Sequence, residues 1–256
     1  MTSNTTLDPI HGFPSPDDID KNGKFKWYCA PDSWDTTGDS SSREGKDGWW
    51  KIDHEKLVLA PPAKKDFWRK TYYQPLLVKD DGPFLYTTIS QDSLPVTIQT
   101  KFSLTPKSQF DQAGILIRLD KEHWIKTGIE VVDEQPRLSC VVTNGFSDWS
   151  TQNWSAPTIK IRVHILPQHG GSFVVEAAPI DTEDWAFIRI AHLNVNHNHD
   201  HLNDDPIVRA AYEGEASPSG SLMVGVFAAC PVDQAGMVAT FDQLSITQGS
   251  AFVHDA

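Results

Sequence analysis

Arg118, Lys126 and Glu130 are the side chains whose types and spacing best suit chemistry in this sequence. Lys126 and Glu130 lie four apart in Trp124-Ile125-Lys126-Thr127-Gly128-Ile129-Glu130, and Arg118 ends the preceding run that starts at Gln112. Side chains on a strand alternate between faces, so Lys126, Gly128 and Glu130 oppose Ile125, Ile129 and Val131. The same period sets Gln112, Gly114 and Arg118 against Ala113, Ile115 and Ile117, and separates Ser139 and Thr143 from Cys140 and Val142. If the three runs pair in order, Gln112, Arg118, Lys126, Glu130, Ser139 and Thr143 make one polar wall. Such a wall offers donors and acceptors to the hydroxyls of a ligand. Flanked by Lys126 and Arg118, Glu130 is expected to be ionised, which suits a base or an acceptor more than an acid. Asp148 follows just past the next strand and is the second carboxylate in reach. The plain alternative is a solvated face whose cross-strand ion pairs contribute roughly a few tenths of a kcal/mol each.

Tryptophan supplies the other half of a binding site. The chain has nine, and Trp68, Trp124, Trp149 and Trp154 sit beside the polar residues just named. An indole face that covers about 100 Å² of a sugar ring contributes some 2–3 kcal/mol. Millimolar affinity needs about 4 kcal/mol, so polar contacts must add to the stacking. Trp68, Trp124 and Trp149 are therefore the candidate ligand platforms, and Trp27, Trp50 and Trp185 are expected in the core.

Other chemistries find less support. His197, His199 and His201 alternate and, with Asp200 or Asp204, have the makings of a metal site. Their Asn- and Asp-rich setting suits a loop that takes metal adventitiously, so neither a metal nor another cofactor is expected. There is no Gly-x-Ser-x-Gly nucleophile and no Gly-rich phosphate loop. The balance of 22 basic to 34 acidic residues argues against nucleic acid and anionic membrane as partners. The first twenty residues are polar and Pro-rich, unlike a secretory leader, and no apolar run has membrane-spanning length. Cys29, Cys140 and Cys230 have no metal spacing and read as buried thiols in a reducing compartment, which makes the cytoplasm the expected location.

The positioning elements read as strands throughout. Runs at 25–29, 49–52, 56–59, 84–89 and 96–104 precede the central meander. Runs at 158–166, 171–177, 185–193, 222–229 and 238–247 follow it. Asp53-His54-Glu55 reads as a hairpin turn between the second and third of these. No long amphipathic helix appears, so the expected fold is all-β, a single-domain sandwich of two antiparallel sheets. Residues 1–24 read as a loose arm, 25–248 as the domain and 249–256 as a tail. Two segments, 33–48 and 194–221, are too polar to form core and read as long surface loops.

Six motifs carry a resemblance. They are Asp66-Phe67-Trp68, Asp111-Gln112-Ala113-Gly114, Trp124–Glu130, Leu138–Thr143, Ser147-Asp148-Trp149-Ser150 and Val226–Pro231. In this order they resemble the DUF1349 family, which includes YesU-type and regulation-of-enolase proteins, over roughly residues 25–248. The resemblance implies a concanavalin A-like jelly roll with a concave sheet that holds carbohydrate in related folds. It implies no settled reaction. Two functions follow. One is a module that binds a carbohydrate-like, polyhydroxylated small molecule or regulates a metabolic enzyme. The other is a hydrolase, lyase or isomerase acting on a sugar-like or natural-product substrate, with Glu130 as base beside Lys126 and Arg118.

Overall fold

Alternating apolar residues decide what lies between the sheets. The computed structural model describes residues 6–20, 24–33, 48–167, 171–193, 221–232 and 236–252. The 33–48 and 194–221 loops, with His197, His199 and His201, lie almost wholly outside the described residues. Strands are numbered here in chain order.

The seven-stranded sheet runs β13 (Phe146–Asn153), β12 (Gln135–Asn144), β11 (His123–Val132), β10 (Gln112–Arg118), β17 (Ser221–Ala229), β8 (Phe84–Ser90), β2 (Lys26–Tyr28). The nine-stranded sheet runs β16 (Ala186–His192), β15 (Ser172–Ala178), β14 (Thr158–Leu166), β9 (Val96–Thr105), β18 (Val238–Gln248), β5 (Lys56–Ala60), β4 (Trp49–Asp53), β3 (Asp32–Ser33). β1 (Ile10–His11) also pairs with β18. Pairing within both sheets is antiparallel except for β3 with β4. His54 and Glu55, both with positive φ, turn β4 into β5, the geometry that matches the twist of a tight hairpin.

Ile115, Ile117, Ile125, Ile129, Val142 and Val226 face Ile98, Phe102, Ile161, Val163, Phe173 and Leu244 in one continuous core. Each such side chain contributes roughly 1.5–3 kcal/mol on leaving water. The all-β sandwich of two main sheets is thus observed as expected. Among the described residues, no helix is long and apolar enough to cross a membrane.

Three local expectations need revision. Within the segment read as a loose arm, Ile10–His11 adds to β18 and Ile19 is buried, because its apolar residues find the sandwich edge. Cys29 is exposed, whereas Cys140 and Cys230 are buried, and none of the three is disulfide-bonded. Trp185 is not core: it lies over the Arg162 guanidinium (4.1 Å to the ring centre) on the outer face of the nine-stranded sheet.

One further hairpin covers the outer face of the seven-stranded sheet. β6 (Phe67–Arg69) and β7 (Val78–Asp80) pair only with each other and lie across the outer face of the seven-stranded sheet. Phe67 packs there against Trp124 and Phe227, with Phe84, Leu116 and Val141 in the same buried cluster. The outer face is therefore roofed.

Candidate functional site

The floor of the roofed face is set by two glycines. Gly114 and Gly128 are directly opposed, and a Cβ on either would lie 2.0 Å from a carbonyl oxygen of the other strand. No side chain is tolerated there, so the wall is recessed at this point. Around the recess stand Gln112, Lys126, Glu130, Ser139 and Phe227, and the space left among them admits no water molecule.

Strand pairing brings these polar groups together because Gln112 is opposite Glu130, and Gly128 is opposite Ser139. The roof then satisfies most of them. Lys126 Nζ donates to Asp66 Oδ1 at 2.9 Å and to the Phe67 carbonyl at 2.6 Å. Gln112 Nε2 donates to the Phe110 carbonyl at 3.1 Å and to Asp66 Oδ1 at 3.3 Å. Ser139 donates to Glu130 Oε2 at 2.6 Å and accepts from the Trp149 indole at 2.9 Å. Lys126 is 3% and Glu130 6% exposed, so the network works in a low dielectric, where an unpaired member is costly. Burial pushes the Glu130 carboxyl above the usual carboxylate range, and nearby Asp66 adds to this. Lys126 and the Ser139 and Trp149 hydrogen bonds oppose it and lose. Lys126, expected to hold Glu130 ionised, is bonded to Asp66 instead, and burial outweighs what it still contributes.

Arg118 belongs elsewhere. It is opposite Trp124, six positions along β11 from Glu130, which is about 20 Å at the rise of a strand. There it donates to Asp80 Oδ2 at 2.7 Å and lies over the Tyr28 ring at 4.5 Å. Tyr28 donates to the same carboxylate, and burial raises its hydroxyl well above the ordinary range. Arg118 thus latches the far strand of the roof and stands well away from Glu130. Trp124 and Thr143 are on the expected face but wholly buried, the first under Phe67 and the second bonded to Ser147. Neither presents a surface to a ligand.

Asp148 is on the wrong face. It is opposite Val142, a core residue, and its carboxylate, 75% exposed, takes Arg189 of β16 at 3.0 Å across the edge of the sandwich. The register runs through the tight turn at Gly145, whose φ of 76° favours glycine, and so sends Ser147 and Trp149 to the polar wall and Asp148 away. Trp154 packs against the core and donates to the Thr158 carbonyl.

What remains open is a mouth beside Glu130. Trp149 is 37% and Tyr73 36% exposed, and both meet Trp68 nearly at right angles, at 6.2 and 5.9 Å. Phe110 closes on Trp149 from the other side, at 6.3 Å and 76°. Tyr73 is near enough to Asp66 and Glu130 that both charges add to burial in raising its hydroxyl. Asp66, Tyr73, Phe110 and Asp80 were not foreseen as site residues. Among the described residues, no group of three or more His, Cys, Asp or Glu is arranged to hold a metal.

A model of the family "Protein of unknown function (DUF1349)" matches residues 45–249. The chain belongs to the DUF1349 family. It is similar to the Saccharomyces cerevisiae protein named Regulation of enolase protein 1, 29% identical over 192 residues that cover 75% of this chain and 81% of that one. An uncharacterized protein of Emericella nidulans is 34% identical over 100 residues, 38% of this chain and 48% of its own. Among solved structures, a functionally unknown protein from Saccharomyces cerevisiae superposes with a TM-score of 0.61 at 28% identity, covering 80% of this chain and 98% of that one. A GH43 protein from Bacillus licheniformis shares the fold (TM-score 0.57, 14% identity, 78% of this chain and 34% of that one). The DUF1349 motifs converge on the roofed face. Asp66-Phe67-Trp68 forms the roof, Asp111–Gly114 and Trp124–Glu130 the wall, and Ser147–Ser150 the edge that brings Trp149 to the mouth.

Proposed function

We propose that this DUF1349 protein is a cytoplasmic module that binds a carbohydrate-like, polyhydroxylated small molecule at the mouth formed by Tyr73, Trp149 and Phe110. One observation carries the reading: Trp149 is 37% exposed, yet its indole N–H is fixed to Ser139, which in turn is bonded to Glu130. A ring held at a set angle over a buried polar relay is suited to stack on a sugar while acceptors beneath select its hydroxyls. The recess itself admits no water, so the ligand rests at the mouth rather than on the glycine floor. The sandwich fold shared with a GH43 protein, and three cysteines outside any disulfide, are in keeping with this reading and this compartment. The test is a titration of monosaccharides followed by tryptophan fluorescence and calorimetry. Wild type is expected to bind a subset, with at least tenfold loss in Trp149→Ala. Equal affinity in both proteins would remove the mouth from the argument.

A catalytic reading has its own observation, namely a buried Glu130 with a raised pKa next to Asp66, which is paired with Lys126. Two carboxyl groups in unlike surroundings suit an acid and its partner, so the enzyme version casts Glu130 as general acid, not base. Glu130→Gln separates the two: a binder keeps its ligand and never turns it over, whereas an enzyme keeps binding and loses turnover. The name of the yeast relative adds a metabolic enzyme as a partner. Co-sedimentation with purified enolase checks that role, with no shift of either protein counting against it.

A further inference from the structure

The donors and acceptors at the mouth do not balance. Both indole N–H groups there are spent, Trp149 on Ser139 and Trp68 on the Thr71 carbonyl at 3.0 Å. Lys126 and the Gln112 amide N–H groups point inward to Asp66, Phe67 and Phe110. Glu130 Oε1 is left with a single long approach, 3.5 Å from Gln112 Nε2. The opening thus shows aromatic faces and the Tyr73 hydroxyl, with a carboxyl oxygen that has no close donor buried behind them. A ligand that satisfies that oxygen must bring a donor of its own.

The aromatic rings say which kind of donor. Elsewhere this chain covers its rings with its own cations: Arg118 over Tyr28, Lys126 over Trp124, Lys70 over Phe146, and Arg162 with Lys160 over Trp185. Among the described residues, no cation lies over Trp68, Tyr73 or Trp149. These three rings, set nearly at right angles with Phe110 beside them, form the partial box that attracts an ammonium group through ring quadrupoles. Behind the box, Glu130 has no bonded cation of its own, because Lys126 is engaged by Asp66. A net charge of −12 draws cations toward the protein from a distance.

Building on the sugar-binding reading, we propose that the mouth selects a ligand bearing a protonated amine, an amino sugar with a free ammonium group. The ammonium sits among Trp68, Tyr73 and Trp149, and Glu130 serves as its counter-ion. Burial disfavours a lone charge on Glu130, and an ammonium beside it favours the ionised form. Hydroxyls of the same ring meet the remaining acceptors.

The test uses the full chain and calorimetry near neutral pH, with D-glucosamine and D-galactosamine as probes. D-glucose, D-galactose and the two N-acetylated amino sugars are the comparison set. The amines are expected to bind at least tenfold tighter than the parent and N-acetylated sugars. Trp149→Ala should remove that binding. Glu130→Gln should bring the amine preference below threefold, read as the ratio of amine to neutral-sugar affinity within the same variant, so that a general loss of affinity through the Ser139 relay cancels. Equal affinity for amines and neutral sugars, all sensitive to Trp149→Ala, overturns the amine proposal and leaves the sugar-binding mouth standing. Amine binding that is indifferent to both substitutions also overturns it. If no probe binds, the mouth reading fails and the amine proposal with it.

Discussion

The outer faces of the two sheets carry similar alternating polar residues and meet different fates. On the nine-stranded sheet, Lys160, Arg162 and His164 alternate along β14 as cleanly as Lys126, Gly128 and Glu130 do along β11. There, Arg162 and His164 share the Glu176 carboxylate at 2.6 and 2.8 Å, and Lys160 pairs with the exposed Glu183. Its cover is a loop carrying Trp185 and the segment holding Ser250 and Phe252, both close to His164. Every aromatic face so engaged already has a cation or a ring of the same chain against it. On the seven-stranded sheet, a dedicated hairpin seals the centre, turns Lys126 inward and leaves a rimmed opening at one end. A polar stripe becomes a candidate site only where something covers most of it and not the rest.

The sharpest way to break the comparison is to remove one charge from each face. Lys126→Ala leaves Asp66 buried without its cation and should cost about 3–5 kcal/mol in urea unfolding. Glu183→Gln, on the solvated face, should leave the urea midpoint unchanged. Similar shifts in the two variants would mean that the hairpin seals nothing.

Ligand response should differ next. Trp149→Ala is expected to weaken sugar binding at least tenfold, about 1.4 kcal/mol, while Trp185→Ala leaves it unchanged because Arg162 occupies that ring. Loss in both would spread the site over the whole surface.

The pH dependence should have opposite signs on the two faces. Glu130 is held above its ordinary 4.5, so the stability it contributes is present at lower pH and lost as pH rises through the raised value. His164 is held below 6.5, chiefly by burial, so its contribution is present above that value and lost as pH falls through the lowered one. Relative to wild type, Glu130→Gln should therefore gain stability as pH rises, and His164→Gln as pH falls. Guanidinium titrations at several pH values read both slopes, and parallel slopes would refute the assignment.

The smallest effect belongs to Asp148→Asn. Its pair with Arg189 is an edge contact in water, worth less than about 1 kcal/mol, and sugar binding should not move.

The sequence was a good guide wherever period two applies. It assigned the strands, the sandwich and the shared face of Gln112, Lys126, Glu130 and Ser139, because one face of each strand had to be apolar to make the core. It lost Asp148 for want of carrying the register through Gly145: Thr143 opposite Ser147 fixes Val142 opposite Asp148. It put Arg118 beside Glu130 since alternation reports a face and not a distance along it. Asp66, Tyr73 and Asp80 were out of reach for a different reason. They arrive from a hairpin some fifty residues upstream, and no local pattern in that segment says which surface it will cover. The surroundings of Glu130 were misjudged for the same cause, because the roof takes Lys126 for itself and adds burial.

The opposed Gly114 and Gly128 make the hollow a property of the main chain. A hollow made by missing side chains at a main-chain pinch cannot be plugged by ordinary substitution, since any replacement collides with backbone. The hollow is therefore a fixture of this backbone, and any change in the shape of the mouth has to come from the hairpin tip and from the short link around Gly145.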